Sequence, residues 1–118
     1  MQSKSKILLI EDNAEMRENL TEILELAEYD VKSAEDGLIG IQYARQFRPD
    51  IILCDIMMPN LDGFGVLKII QQDEFLKHLP FVFLTAKSEK EDFRKGMNLG
   101  AEDYLVKPFE DSDLLQIV

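Results

Sequence analysis

The chain has 118 residues, enough for one compact domain with its own core. Hydrophobic residues make up 46% and charged residues 31%, an ordinary globular composition that excludes a disordered, collagen-like or coiled-coil protein. With 13 Lys and Arg against 23 Asp and Glu, the net charge of −10 repels nucleic-acid phosphates and anionic membranes. We therefore expect this segment to bind neither nucleic acid nor membrane directly.

Membrane-spanning, secreted and cysteine-based classes are also excluded. No apolar run approaches the roughly 18 residues that span a bilayer. The apolar run Ile7–Ile10 is shorter than the roughly 7 to 15 residues of a secretory signal. Cys54 is the single cysteine, which rules out an internal disulfide and a closed cysteine zinc site. We predict a cytoplasmic protein.

Five short apolar runs predict β-strands. Continuous apolar runs are typical of strands buried on both faces, as in parallel sheets. In chain order the predicted strands are Ile7–Ile10, Val31–Ala34, Ile51–Cys54, Pro80–Leu84 and Tyr104–Val106.

Segments with apolar residues at three- and four-residue steps separate the strands and predict helices. Their starts carry capping residues: Asp12 or Asn13 for the first helix, Asp36 for the second, and the capping-box pattern Ser88–Glu91 for the fourth. The predicted helices cover residues 14–28, 37–47, the segment after Gly63, 88–99 and 111–118.

The alternation of strands and helices predicts an α/β fold, a doubly wound five-stranded parallel sheet with helices on both faces, because parallel neighbours need a long crossover. Ligands of such sheets bind outside the carboxyl ends of the strands. The residues at those ends are therefore the candidate site: Glu11, Asp12, Asp55, Thr85 and Lys107.

Clustered carboxylates at one edge need a cation. Two carboxylates about 4 Å apart repel by roughly 4 kcal/mol at an effective dielectric of 20, and Lys107 offsets only one charge. Mg²⁺ fits the remainder, because it accepts carboxylates and keeps waters for a phosphate. Taken singly, Asp12 is better explained as a helix cap and Lys107 as a solvated residue. Asp55, directly after a buried run, is costly unless paired.

Four motifs follow one another along the chain: Glu11-Asp12, Asp55–Gly63, Thr85-Ala86 and Lys107-Pro108-Phe109. The most specific is the stretch Asp55–Gly63, of pattern D-x-x-M-P-x-x-D-G. In order and spacing, from about Lys6 to Val118, these motifs closely resemble those of the response-regulator receiver domain of two-component signal transduction.

The resemblance implies a flavodoxin-like strand order 2-1-3-4-5 and a role for each site residue. Asp55 would accept a phosphoryl group from a phosphohistidine, and Lys107 would pair with a phosphoryl oxygen. The implied Mg²⁺ ligands are Asp12, Asp55 and the backbone carbonyl of Met57, with Glu11 assisting through water. The implied phosphoryl hydrogen bonds come from the Thr85 hydroxyl and the Ala86 N–H, and Met57 is a further implied phosphate-binding residue. Pro108 would follow a cis peptide bond.

The resemblance also implies a regulatory switch rather than a metabolic enzyme, catalysing only its own phosphorylation and dephosphorylation. Phosphorylation would draw Thr85 inward, move Tyr104, and remodel the face made by the fourth helix, the fifth strand and the fifth helix. The implied partners are a sensor histidine kinase or a phosphotransfer protein, and a second copy of the chain on activation.

Residues 1–5 are predicted to be a flexible tail and residues 6–118 the receiver domain. Because the fifth helix is short, we expect an effector domain to follow in the full-length protein: a transcription factor, a hybrid kinase or another output. A native single-domain receiver is the fourth, less favoured option. The alternative function is a phosphorylation-independent pseudo-receiver that only binds proteins, although such a domain would have lost site residues. A nucleotide-binding loop and an aspartate-nucleophile phosphatase fit poorly, because the first lacks its glycines and the second its paired acid.

Overall fold

A computed structural model describes residues 4–86, 97–107 and 110–118, without the side chains of Ala86 and Lys107. Its strands are β1 Lys6–Ile10, β2 Asp30–Ala34, β3 Ile51–Asp55, β4 Phe81–Ala86 and β5 Asp103–Lys107. Its helices are α1 Ala14–Leu26, α2 Gly37–Phe47, α3 Gly63–Gln71 and a C-terminal helix, Asp111–Ile117. Most of the predicted fourth helix lies outside the described residues.

The five strands form one parallel sheet in the order β2-β1-β3-β4-β5, which confirms the predicted fold class and strand order. Apolar clusters cover both faces. One face packs against α2 and α3 through residues such as Ile41 and Phe64. The other packs against α1 and the C-terminal helix through Leu24 and Leu114. Because the strands are parallel, all of their carboxyl ends lie along one edge of the sheet.

Side-chain caps begin three of the helices. Asn13 accepts a hydrogen bond from the Met16 N–H at 2.9 Å, and Asp36 accepts one from Ile39 at 2.8 Å. Such caps satisfy backbone donors that the first helical turn leaves without partners. Asn13, rather than Asp12, caps α1, so the Asp12 carboxylate is not used as a helix cap.

Gly40 allows α2 to pack closely on β1. A Cβ atom at this position would lie 2.7 Å from Cγ1 of Ile10, closer than side-chain carbons can approach. Glycine in a helix interior costs about 1 kcal/mol relative to alanine, and the close contact between α2 and the sheet offsets that cost.

Two element boundaries differ from the sequence prediction. Helix α1 ends at Leu26, two residues early, because Glu28 adopts a left-handed conformation with φ of 71°. Strand β4 continues to Ala86, past the predicted end at Leu84, because its backbone goes on pairing with β5. None of the described helices is long and apolar enough to cross a membrane.

Candidate functional site

The central strands bring three acidic residues together at the carboxyl edge. Glu11 directly follows β1, and Asp55 is the last residue of β3. These two strands are neighbours, with Ile10 paired to Cys54. Carboxylate oxygens of Glu11, Asp12 and Asp55 all lie within 4.8 Å of one another. We refer to these three residues as the acidic cluster.

The acidic cluster combines buried and open carboxylates. Glu11 is 1% exposed and Asp55 is 7% exposed, whereas Asp12 faces solvent. The cluster lies in an open cleft of about 490 Å³, whose other lining residues are Asn13, Glu15, Met16 and Asn19. A small ligand can therefore reach acids that the strand ends hold in place.

The chemistry of the cluster suits a hard divalent cation. Three carboxylates this close together repel one another strongly unless a positive charge lies between them. Mg²⁺ takes oxygen ligands, uses few carboxylates and retains water molecules that a phosphate can replace. The donor set and the open cleft both fit such an ion.

Thr85 contributes a buried hydroxyl at the same edge. Thr85 is 2% exposed, and its Oγ1 has no hydrogen-bond partner among the described residues. Leaving a buried polar group without a partner costs about 1–3 kcal/mol, and such groups frequently mark functional positions. The hydroxyl is thus available to a ligand that carries hydrogen-bond acceptors.

Cys54 lies next to Asp55 but belongs to the core. It is fully buried on the α2 and α3 side of the sheet, and its Sγ lies 3.2 Å from the Asp55 carbonyl oxygen, to which the thiol donates. Burial raises the pKa of this thiol well above its usual value, and the charges of Asp55 and Glu11 raise it further. Cys54 therefore stays protonated and is not a nucleophile of this site.

The remaining predicted site residues are described to different extents. Met57 follows β3 and its side chain is 64% exposed beside the edge. Lys107 ends β5, paired in register with Ala86 at the end of β4. The side-chain contacts of Lys107 and the peptide bond before Pro108 lie outside the described residues.

Tyr104 lies on β5, one strand away from Thr85. It pairs in register with Phe83, and the two rings meet edge to face, with centroids 6.5 Å apart. The side chain is partly buried and packs against the core cluster under α2 and α3. Its location connects the core near Thr85 to the outer edge of the sheet.

Sequence reasoning missed two contributors to this edge. Arg17, on α1, donates from Nη1 to the backbone carbonyl oxygen of Glu11 at 2.9 Å. Asp62, the second acid of the D-x-x-M-P-x-x-D-G motif, caps α3 by accepting from the Gly65 N–H at 2.9 Å. The position of Asp62 before an apolar periodic segment is an N-cap signal. Nothing in the sequence pattern indicates the Arg17 contact.

Residues 7–118 match the family model of the response regulator receiver domain. The chain is 39% identical over 110 residues to the DNA-binding dual master transcriptional regulator RpaA of Synechocystis, covering 93% of this chain and 46% of that protein. It is 34% identical over 112 residues to the DNA-binding response regulator MtrA of Mycobacterium tuberculosis, covering 95% and 48%. The chain thus spans about half the length of the curated relatives it matches.

Solved structures give the same result. Chemotaxis protein CheY4 of Vibrio cholerae superposes with a TM-score of 0.91 at 32% identity, covering 97% of this chain and 95% of that one. The receiver domain of sensor histidine kinase PA1611 from Pseudomonas aeruginosa has a TM-score of 0.89 at 32% identity, covering 97% and 93%. That structure has a magnesium ion coordinated in its active site cleft.

The chain belongs to the response regulator receiver domain family. Its role is phosphorylation-dependent signalling, and it is a regulatory domain rather than a metabolic enzyme.

Proposed function

We propose that this domain is a signalling switch in which Asp55 accepts a phosphoryl group with the help of Mg²⁺. The observation that carries the proposal is the acidic cluster, whose three carboxylates lie within 4.8 Å of one another while Asp55 is only 7% exposed. Glu11, Asp12, Asp55 and the backbone carbonyl of Met57 would hold the ion. The ion supplies positive charge that offsets the carboxylates and the incoming phosphoryl oxygens.

The reaction is a transfer between two protein groups. A carboxylate oxygen of Asp55 attacks phosphorus, and the bond from phosphorus to the histidine nitrogen of the donor breaks. The electron pair stays on that nitrogen, which takes up a proton, and Asp55 becomes an acyl phosphate. Little covalent chemistry is needed beyond holding donor and acceptor in line, which is the usual demand of phosphoryl transfer.

Residues at the ends of β4 and β5 would bind the transferred group. The Thr85 hydroxyl, buried without a described partner, would donate to a phosphoryl oxygen, and the Ala86 N–H would donate to another. Lys107, at the end of β5, would pair with a phosphoryl oxygen and stabilise charge in the transition state and the product. Pro108 would follow a cis peptide bond that orients this lysine.

The output would be a change of surface. Phosphorylation adds about −1.5 to −2 charges and three acceptor oxygens at the edge. Movement of Thr85 toward the phosphoryl group would let Tyr104 change rotamer and remodel the face around β5 and the C-terminal helix. A sensor histidine kinase or phosphotransfer protein would supply the phosphoryl group. An effector domain of the full-length protein, or a second copy of the chain, would respond to the new surface.

The proposal is tested by measuring intact mass after incubation with Mg²⁺ and acetyl phosphate. We expect one adduct of about 80 Da that is labile to hydroxylamine, as acyl phosphates are. The adduct is expected to be absent with EDTA and in Asp55→Asn. Asp62→Asn is the matched control and should keep the adduct, because asparagine caps a helix as well as aspartate does.

Two results would overturn the proposal. Folded wild-type protein that binds Mg²⁺ but forms no adduct, either with acetyl phosphate or with a phosphorylated histidine kinase, would favour the protein-binding pseudo-receiver. An adduct of undiminished yield in Asp55→Asn would place the acceptor elsewhere.

A further inference from the structure

Arg17 contacts the acidic cluster at a backbone carbonyl. Its guanidinium donates from Nη1 to the backbone carbonyl oxygen of Glu11 at 2.9 Å, and the contact is partly buried. None of the ion pairs between described residues involves Arg17. The guanidinium therefore binds the backbone of the acidic cluster rather than its carboxylates.

The Glu11 backbone is consequently held from two sides. Its N–H donates to the carbonyl oxygen of Ala34 in β2 at 3.0 Å, and its own carbonyl oxygen accepts from Arg17. The N–H belongs to the peptide between Ile10 and Glu11, and the carbonyl belongs to the peptide between Glu11 and Asp12, directly after the end of β1. Fixing these two peptides restricts the directions in which the Glu11 and Asp12 carboxylates can point.

Electrostatics at the start of α1 do not by themselves explain this placement. Arg17 is the fourth residue of α1, and its side chain reaches back past the helix start to Glu11. Positive charge near a helix N-terminus is unfavourable, because the helix dipole is positive there. A hydrogen bond to a backbone carbonyl offsets that cost while keeping the guanidinium in a defined position.

We propose that Arg17 is a positioning residue for the acidic cluster and sets its affinity for Mg²⁺ through the Glu11 carbonyl. The inference rests on the metal site of the proposed function. Groups that orient metal ligands without touching the ion typically change metal affinity about 10- to 100-fold when they are removed.

Because Arg17 is charged, the direction in which the Mg²⁺ affinity changes distinguishes its possible roles. Removing a guanidinium beside three carboxylates makes the site more negative, so charge alone predicts tighter Mg²⁺ binding in Arg17→Gln. Loss of positioning predicts the opposite, weaker binding by about 10-fold. A purely structural role predicts lower stability with an unchanged Mg²⁺ affinity.

The experiment is calorimetric titration of Mg²⁺ into wild type, Arg17→Gln, Arg17→Lys and Arg45→Gln, with circular dichroism to establish that each is folded. We expect weaker binding in Arg17→Gln and partial recovery in Arg17→Lys, which keeps one donor for the carbonyl. Arg45→Gln removes a guanidinium that pairs with Asp73 on another part of the molecule, and should bind Mg²⁺ as wild type does.

Equal or tighter binding by folded Arg17→Gln would overturn the positioning role and leave the metal site intact. Absence of Mg²⁺ binding by the wild type would overturn the metal site itself, and the positioning role with it. The two failures are thus distinguishable in one set of titrations.

Discussion

Individual residues at the carboxyl edge are placed at a cost to stability. Asp55 and Glu11 are buried acids in a repulsive cluster, and the Thr85 hydroxyl is buried without a described partner. Natural proteins accept unfavourable local placements where a ligand will later satisfy them. Removing such a polar group should therefore stabilise the folded domain and impair its function at the same time.

Replacing Thr85 with valine tests this opposition between stability and function by removing one hydroxyl group. Valine keeps the shape and the strand preference of threonine but removes the hydroxyl, so we expect the free energy of unfolding to rise by about 1 kcal/mol. The extra stability that phosphorylation confers should fall, because one hydrogen bond to the phosphoryl group is lost. Urea denaturation with and without acetyl phosphate measures both effects.

Thr21 provides the matched control for that experiment. Its hydroxyl is also buried without a partner among the residues that the structure describes. Thr21 lies in α1, however, and does not line the cleft that contains the acidic cluster. Thr21→Val should stabilise the domain without changing the response to acetyl phosphate. If Thr85→Val and Thr21→Val responded identically to the donor, the role of the Thr85 hydroxyl would be refuted.

At the scale of elements, periodicity and apolar runs predicted all five strands and their parallel arrangement. What could not be predicted were ends set by single backbone conformations. Nothing in a glutamate indicates a left-handed residue, so the end of α1 at Leu26 was missed. Thr85 suggested the end of a strand because it is polar, yet the backbone pairing of β4 continues past it.

The left-handed residue after α1 predicts a stabilising substitution. Glu28 has φ of 71°, and the Tyr29 N–H donates back to the Leu24 carbonyl oxygen at 3.1 Å, as at a helix end where glycine is preferred. Glu28→Gly removes the strain of a Cβ atom in this conformation. We expect a gain of about 0.5–1 kcal/mol, after the greater flexibility of glycine in the unfolded chain is deducted.

Thermal unfolding measures this effect, with Glu22→Gly as the control. Glu22 is an exposed residue in the interior of α1, where glycine should cost about 1 kcal/mol. A lower Tm for both variants would contradict the assignment of strain to Glu28.

At the scale of the whole molecule, the site could be predicted because a parallel sheet brings strand ends to one edge. Asp55 is far in sequence from Glu11 and Asp12, but the strand order places the three carboxylates within 4.8 Å of one another. The contact of Arg17 with Glu11 could not be predicted, since a long side chain has many rotamers that sequence periodicity does not restrict. The Thr85 hydroxyl, which has no hydrogen-bond partner among the described residues, is likewise recognised only when its surroundings are known.

The proposed switch depends on coupling across the sheet, and Tyr104→Ala tests that coupling. The Tyr104 ring packs on Phe83, two residues before Thr85 in β4, so its loss should disconnect the phosphorylated edge from the outer face. We expect Asp55 to be phosphorylated normally while the phosphorylation-dependent change in hydrogen exchange over residues 97–107 and the C-terminal helix disappears.

Tyr43 is the control for this substitution. It packs against the same core cluster from α2, where Lys32 lies over its ring at 4.4 Å, but it is remote from β5. Tyr43→Ala should keep the exchange response. A response that survives in Tyr104→Ala would show that the signal does not pass through this ring.

The central claim is that Asp55, among 23 acidic residues, is the one that takes the phosphoryl group. The most direct measurement is to phosphorylate the wild-type domain with acetyl phosphate and Mg²⁺, reduce the acyl phosphate with borohydride, and locate the reduced residue by peptide sequencing in a mass spectrometer. The account predicts reduction to homoserine at position 55 and nowhere else. Reduction at another acid, including Asp12 or Glu11, would contradict it.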